Sequence, residues 1–253
     1  MIALVTGATA GFGKQIAIDF INKGYTVIGT GRRASKLAEL QRKFGDKFVP
    51  LCFDVADLND TKIAIASLPE SLLNNIDILV NNAGLALGLV SADKAEFDDW
   101  QKMINVNVTG LAHLTHLILP KMVANNSGLI INMGSTAGSH PYFGANVYGA
   151  TKAFVKMFSN NLRADLYGKN IRVTNLEPGL TGGTEFSNVR FKGDNEKAQS
   201  VYEGIDYVTP QDISNIVMWL AEQPEHVNIN SLEVMPTAQT YAGLKVCKTN
   251  NGN

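Results

Sequence analysis

The chain has 253 residues, of which 45% are hydrophobic and 18% charged, a composition that is typical of a packed globular protein and excludes a disordered chain. Its 22 lysines and arginines against 23 aspartates and glutamates give a net charge of −1, so we expect no nucleic-acid partner, because a phosphate backbone demands a basic excess. The two cysteines are too few for a disulfide framework, no apolar run reaches the ~18 residues of a membrane span, and the N-terminus lacks the basic region of a signal peptide; together these features predict a cytoplasmic protein without a membrane partner.

Short apolar runs alternate with helical stripes along the chain. The runs predict strands at 2–5, 26–29, 48–53, 76–80, 129–133, 171–175 and 232–235. Between the first two, Ile16, Ala17, Phe20 and Ile21 recur at helical spacing. Near-continuous apolar strands separated by helices indicate a parallel sheet covered on both faces. We therefore predict an α/β fold, a doubly wound parallel sheet of the Rossmann type, as a single domain over 1–253.

A later helix has a clear start signal. Thr209 is a suitable N-cap, Pro210 fits the first helical position, and Asp212 adds an acidic side chain to the first turn. The helix is expected to continue to about residue 223.

The first strand is followed by a glycine-rich turn, TGATAGFG at 6–13, and then by a helix. Such a turn lets backbone N–H groups approach a pyrophosphate, and the helix N-terminus adds partial positive charge. A tight turn without a ligand is the alternative. The position between strand and helix favours a dinucleotide site.

The residues after the next strands indicate which dinucleotide is bound. Enzymes that use NAD place an acid at the end of the second strand, whereas this chain has glycine there, followed by Arg32 and Arg33. Arginine can bind a 2′-phosphate bidentately, so the pair predicts NADP(H), the alternative being two solvated charges. Asp54 and Val55 are expected at the adenine edge, although a turn or helix-cap role is an alternative for Asp54. The segment 81–84 is expected beside the adenosine ribose.

Four side chains form a candidate catalytic group. Tyr148 and Lys152 are four positions apart on a predicted helix, so they share a face, and a nearby cation is expected to lower the pKa of the phenol. Ser135 follows the fifth strand, at the sheet edge where ligands bind, and can hold a substrate oxygen while Tyr148 transfers a proton. Asn107, on a helix, either binds a water that relays protons from Lys152 or satisfies helix backbone.

These motifs together resemble the short-chain dehydrogenase/reductase family over essentially the whole chain. The resemblance implies Tyr148 as acid/base, Ser135 as the carbonyl anchor, and Lys152 as a ligand of the nicotinamide ribose that tunes Tyr148. It also implies Asn107 in a proton relay, and a nicotinamide carboxamide held by the segment from Pro178 to Thr184. The predicted cofactor-binding residues are therefore Gly7, Ala8, Thr9, Ala10, Gly11, Phe12, Gly13, Arg32, Arg33, Asp54, Val55, Asn81, Ala83, Gly84, Tyr148, Lys152, Pro178, Gly179, Leu180, Thr181 and Thr184.

The segments 177–193 and 234–243 resemble one subgroup, the bacterial NADP-dependent 3-hydroxy acid dehydrogenases. That subgroup acts on serine, allo-threonine and 3-hydroxypropionate or malonic semialdehyde, and relatives reduce sulfoacetaldehyde to isethionate. The resemblance implies an oxidoreductase acting on a CH–OH group of a small anionic substrate, and a homotetramer.

A small anionic substrate needs a cation near the site, and a substrate loop at about 180–208 supplies Arg190 and Lys192. Our hypothesis is that Arg190 binds the acid group, together with Ser135 and Tyr148 at the carbonyl; the alternative is that both cations are surface charges. No metal site is expected, because His113 and His116 share a helix face without carboxylate or cysteine neighbours.

Two other functions share parts of this pattern. A nucleotide-sugar epimerase carries the Tyr/Lys pair but usually has a longer C-terminal part. A dinucleotide sensor without turnover would be expected to lack Ser135 or Tyr148.

Overall fold

The computed structural model describes residues 1–241, so Cys247 and the last residues of the 234–243 segment lie outside the described residues. Its centre is a parallel sheet with the strand order β3-β2-β1-β4-β5-β6-β7. The strands are β1 Ile2–Val5, β2 Thr26–Gly31, β3 Phe48–Cys52, β4 Ile76–Asn81, β5 Gly128–Met133, β6 Ile171–Pro178 and β7 Ser231–Val234. The predicted doubly wound α/β fold is confirmed.

Helices cover both faces of the sheet. They are α1 Gly11–Asn22, α2 Ala34–Phe44, α3 Leu58–Ala66, α4 Glu70–Leu73, α5 Phe97–Ile104, α6 Leu111–Asn125, α7 Asn146–Asp165, α8 Phe186–Arg190, α9 Asn195–Ser200 and α10 Pro210–Glu222. Helix α10 begins as predicted, since the Thr209 side chain accepts from the Asp212 N–H and the Asp212 carboxylate accepts from the Thr209 N–H. Among residues 1–241, no helix is long and apolar enough to cross a bilayer.

Two hydrophobic clusters cover the sheet, one on each face. Val5 packs in one cluster with Phe20 of α1 and Val217 of α10. Its neighbour Leu4 packs in the other with Ile118 of α6. Successive strand residues face opposite sides of a sheet, which explains why strands buried on both faces read as continuous apolar runs.

Strand β6 is three residues longer than predicted, and the added residues include a buried charged side chain, Glu177. The prediction stopped at Asn175, but β6 continues to Pro178 and pairs with β7. Glu177 is only 1% exposed and accepts a hydrogen bond from Ser231 Oγ at 2.7 Å. It also forms an ion pair with Lys156 of α7 at 3.1 Å. Buried partners thus replace water around a polar strand end.

The first three strands are added toward one edge of the sheet and the strands from β4 onward toward the other edge, so β1 and β4 lie side by side at the point where the strand order reverses. A crevice forms at the carboxyl ends of strands at such a switch point. The predicted substrate loop enters this region with α8 and α9, and a bridge between Thr181 and Val208 joins its two ends.

Candidate active site

A pocket of about 670 Å³ lies at the carboxyl ends of the central strands. The glycine-rich turn and the ends of β2 and β3 form one end of it, and β5, α7 and the substrate loop form the other. It is lined by most of the predicted cofactor residues, by Ser135, Tyr148 and Lys152, and by Arg190.

The glycine-rich turn needs its glycines for two reasons. Gly7 and Gly11 have φ angles of 68° and 51°, in the left-handed region that favours glycine. A Cβ added at Gly13 would collide with the carbonyl oxygen of Gly7. The backbone of this turn can therefore lie directly against a ligand.

The arginines at the end of β2 both line the pocket. Arg33 donates to Thr9 Oγ1 through Nη2 at 2.9 Å and forms an ion pair with Glu185 at 3.0 Å. Arg32 lies 3.5 Å from Asp54. Thr30 Oγ1, on the pocket wall, is buried without a hydrogen-bond partner among the described residues. Two guanidinium groups, an unpaired hydroxyl and a glycine cradle suit a dinucleotide that carries a further phosphate near β2.

Three predicted cofactor residues lie behind the pocket wall. Ala8, Gly13 and Asn81 are buried and do not line the pocket. Asn81 instead donates to Thr115 Oγ1 at 2.9 Å and Asn132 Oδ1 at 2.8 Å. The next residue, Asn82, belongs to the predicted segment 81–84 but not to the predicted cofactor-binding residues, and it lines the pocket. Strand alternation was the signal that distinguishes these two asparagines.

Ser135, Tyr148 and Lys152 come together at the inner end of the pocket. Ser135 caps a short helical turn after β5, and its Oγ donates to the Pro178 carbonyl at 3.4 Å. Tyr148 and Lys152 lie on α7 and are each 7% exposed. The Lys152 ammonium donates to the Met133 carbonyl at 2.7 Å and lies 5.9 Å from the centre of the Tyr148 ring.

The pKa values of this pair differ from the sequence-based expectation. Burial, together with Tyr142, raises the pKa of Tyr148 to about 12, although hydrogen bonding with Ser135 and the charge of Arg190 oppose the rise. Burial lowers the pKa of Lys152 to about 8. The expected lowering by Lys152 is not found, because desolvation of a buried phenolate outweighs a cation that sits 5.9 Å from the ring centre.

Asn107 lies in a π-helical turn, Asn105–Gly110, between α5 and α6. Its amide donates to the Leu85 carbonyl at 2.8 Å and to Thr151 Oγ1 at 3.1 Å, and its Oδ1 accepts from the Leu85 N–H at 2.9 Å. A Cβ on Gly84 would lie 3.3 Å from Asn107 Oδ1 and 3.4 Å from Lys152 Nζ. Asn107 therefore fixes the chain after β4 beside Lys152. Its side chain binds the backbone N–H and carbonyl of Leu85 rather than the backbone of its own helix.

The two candidate substrate cations have different surroundings. Arg190 lines the pocket, where it donates to the Gly88 carbonyl at 3.1 Å and to the Tyr142 hydroxyl at 3.0 Å. Its guanidinium carbon lies 5.8 Å from the centre of the Tyr148 ring. Lys192 does not line the pocket and pairs with Glu96 and Asp99 at 2.9 and 2.8 Å. Of these two cations, Arg190 is therefore the one that faces the pocket and the Tyr148 ring.

Comparison with known proteins places this geometry in a family. A family model described as short chain dehydrogenase matches residues 1–195. The chain belongs to the short-chain dehydrogenase family. It is 61% identical over 246 residues to a probable NADP-dependent dehydrogenase of Haemophilus influenzae, covering 97% of each chain. It is 56% identical to the NADP-dependent 3-hydroxy acid dehydrogenase YdfG of Escherichia coli K12, covering 97% of this chain and 99% of that protein.

A solved structure shows the same fold. The closed form of serine dehydrogenase complexed with NADP+ superposes with a TM-score of 0.96 at 56% identity and covers 98% of this chain and 100% of that one. The resemblance that the motifs predicted is confirmed.

In this short-chain dehydrogenase, burial of Lys152 predicts a specific pH dependence of stability. The lowered pKa means that the folded chain releases the lysine proton near pH 8, whereas an unfolded lysine holds it to about pH 10.5. Between these values the unfolded state binds more protons, so the free energy of unfolding contributed by Lys152 rises with pH. Between pH 7 and pH 10.5, the free energy of unfolding of the wild type should therefore rise by up to about 3 kcal/mol relative to that of Lys152→Met.

Denaturant unfolding of both proteins across this pH range measures the difference. Lys62→Met, at an exposed position of α3, is the matched control and should follow the wild type. Parallel pH curves for Lys152→Met and wild type would contradict the buried-lysine account.

Proposed function

We propose that this protein transfers hydride between NADP(H) and a small 3-hydroxy acid or its semialdehyde, as an NADP-dependent oxidoreductase acting on the CH–OH group. The observation that carries the proposal is a single pocket lined by Ser135, Tyr148 and Lys152 and also by the Arg190 guanidinium. A proton donor and an anion-binding group in one pocket suit a substrate with a carbonyl and an acid group. The names of the relatives support the same reaction and favour it over epimerisation or sensing.

NADP(H) is the cofactor that the other end of the pocket fits. The glycine-rich turn would hold the pyrophosphate, Arg32 and Arg33 the 2′-phosphate, and the segment from Pro178 to Thr184 the carboxamide end. When bound, the cofactor supplies or accepts the hydride.

The chain's own residues handle the oxygen and the proton. Because its pKa is raised to about 12, the Tyr148 phenol is protonated at neutral pH and can donate that proton to a carbonyl oxygen. Ser135 donates a hydrogen bond to the same oxygen. Lys152, anchored on the Met133 carbonyl, would bind the ribose hydroxyls. Asn107, which holds the chain after β4 beside Lys152, would support the proton relay.

Arg190 would bind the substrate's acid group. Tyr142 and Gly88 hold two of its nitrogen atoms, which reduces the entropy lost on binding. Carboxylate and sulfonate groups both suit a guanidinium, so sulfoacetaldehyde is the alternative substrate. The names of the relatives, hydroxy acid and serine dehydrogenase, favour the carboxylate.

We further propose a cytoplasmic homotetramer. The support is the family resemblance for assembly and the low cysteine content for location.

Steady-state kcat/KM for malonic semialdehyde, sulfoacetaldehyde and serine, each with NADP(H) and NAD(H), tests the function. Malonic semialdehyde or serine with NADP(H) should give the highest value, and a neutral aldehyde such as propanal should give a lower value than malonic semialdehyde. Turnover of none of the acids would refute the proposal.

Arg190→Met extends this measurement to the acid-binding role. Loss of a charge-assisted hydrogen bond of about 1.5–3 kcal/mol should raise KM for malonic semialdehyde roughly 10- to 150-fold. The KM values for propanal and for NADPH should stay at their wild-type levels. Lys192→Met is the matched control, because Lys192 is paired with Glu96 and Asp99 outside the pocket. An unchanged KM in Arg190→Met would remove Arg190 from the substrate site.

A further inference from the structure

The arginine placed to bind the 2′-phosphate already has a carboxylate partner, and that partner belongs to the substrate loop. Arg33 Nη1 lies 3.0 Å from Glu185 Oε1, and Glu185 is the residue that precedes α8. We infer that Glu185 is a specificity-determining residue, the internal counterion that a 2′-phosphate displaces from Arg33. The 2′-phosphate of NADP(H) thus frees the start of α8, which NAD(H) leaves attached. This inference rests on the proposed phosphate-binding role of Arg33.

The ion pair joins two parts of the pocket that are distant in sequence. Arg33 follows β2 and also contacts Thr9 in the glycine-rich turn. Thr184 lies against the same turn, since a Cβ on Gly11 would be 3.1 Å from Thr184 Cγ2. The segment holding Glu185 therefore lies across the cofactor end of the pocket, which Arg33, Thr9 and Glu185 all line.

Helix α8 connects this ion pair to the substrate end. It spans Phe186–Arg190, so it begins directly after Glu185 and ends with the proposed substrate cation. Release of Glu185 frees one end of this short helix while Arg190 remains bound to Gly88 and Tyr142 at the other end.

The carboxylate of Glu185 is free to leave, in contrast to that of Asp54. Among residues 1–241, the Glu185 carboxylate pairs with the side chain of Arg33 alone. Asp54, the partner of Arg32, also accepts a hydrogen bond from the Ala56 N–H at 3.0 Å and so is fixed in its turn. Of these two carboxylates, Glu185 is therefore the one that a 2′-phosphate can displace from its arginine.

Charge decides the direction of the effect. A 2′-phosphate carries nearly two negative charges, and Glu185 would both compete with it for Arg33 and repel it. The side chains of Arg33 and Glu185 are 43% and 58% exposed, so the ion pair alone changes an equilibrium by less than about fivefold. With the repulsion included, loss of the Glu185 charge should tighten NADP(H) binding roughly 2- to 10-fold.

Glu185→Gln tests the inference, with equilibrium dissociation constants for NADPH and NADH measured by fluorescence titration. NADPH should bind 2- to 10-fold more tightly than to the wild type, and NADH binding should not change, because NADH lacks the 2′-phosphate. Glu96→Gln is the matched control: it removes an exposed carboxylate that pairs with Lys192 outside the pocket, and should change neither constant. Unchanged or weaker NADPH binding, or equal tightening of NADH, would overturn the inference.

Arg33→Gln separates this inference from the function on which it rests. In the Arg33→Gln background, the gain from Glu185→Gln should shrink, because no guanidinium remains to be released. If Arg33→Gln weakens NADPH selectively while Glu185→Gln has no effect, the phosphate site stands and the inference fails. If Arg33→Gln leaves the ratio of NADPH to NADH affinity unchanged, the proposed phosphate site itself fails.

Discussion

We expect Tyr148→Phe to lower kcat for carbonyl reduction by about 10²- to 10⁴-fold, the range typical of a lost general acid. The substitution removes the hydroxyl and keeps the ring, which is 7% exposed and packs against Phe186 with ring centres 5.9 Å apart. Because a buried phenol with a pKa of about 12 is protonated at neutral pH, the wild type holds the transferable proton in place. Phenylalanine has no proton to give, and water is a poor substitute for a hydroxyl on a ring that is this deeply buried.

The loss should be confined to the chemical step. The melting temperature and the dissociation constant for NADPH should stay close to the wild-type values, and steady-state and single-turnover kinetics should both slow. Tyr167→Phe is the matched control, since Tyr167 is 88% exposed and lies beyond the end of α7. Full turnover by Tyr148→Phe would refute the assignment of Tyr148 as the acid/base.

The second large effect concerns cofactor choice. Replacing Arg32 and Arg33 together with glutamine should weaken NADPH binding by roughly 10²-fold, because each guanidinium loses a charge-assisted contact of about 1.5–3 kcal/mol that solvent exposure reduces. NADH binding should change little, since its ribose carries no phosphate. The substitution should therefore erase most of the preference for NADPH over NADH.

Fluorescence titration with both cofactors measures this preference in one experiment. Arg42→Gln, which removes an exposed arginine from the last turn of α2, should leave both affinities unchanged. A double variant that still prefers NADPH by the wild-type factor would place the 2′-phosphate elsewhere in the pocket.

The local patterns predicted the fold well because they depend on near neighbours. The glycine-rich turn lies between β1 and α1 as its sequence indicated, and Thr209 caps α10 through the predicted contact with Asp212. Each of these features requires only backbone geometry and residues a few positions apart. Strand β6 shows the limit of such patterns, because its end carries the charged Glu177, whose partners lie on β7 and α7.

The sequence predicted which side chains gather in the pocket better than it predicted their partners. Ser135, Tyr148 and Lys152 line one pocket, as the strand-end rule and the four-residue helical spacing indicated. The sequence put Asn81 rather than Asn82 among the cofactor residues, and it offered no contact that separates Arg190, the chosen substrate cation, from Lys192. The partners that decide between them, such as Thr115 for Asn81 and Glu96 for Lys192, are 34 and 96 positions away along the chain.

The sequence by itself determined the parallel α/β sheet, the glycine-rich turn after β1 and the tyrosine–lysine face of α7, because these follow from periodicity and spacing along one stretch of chain. Only the tertiary structure decided that Tyr148 holds its proton more tightly than a free tyrosine, that Arg190 rather than Lys192 faces it, and that Glu185 reaches Arg33. The physical reason is that desolvation and pairing of charges depend on what surrounds a group in space, and most of those surroundings come from distant parts of the chain.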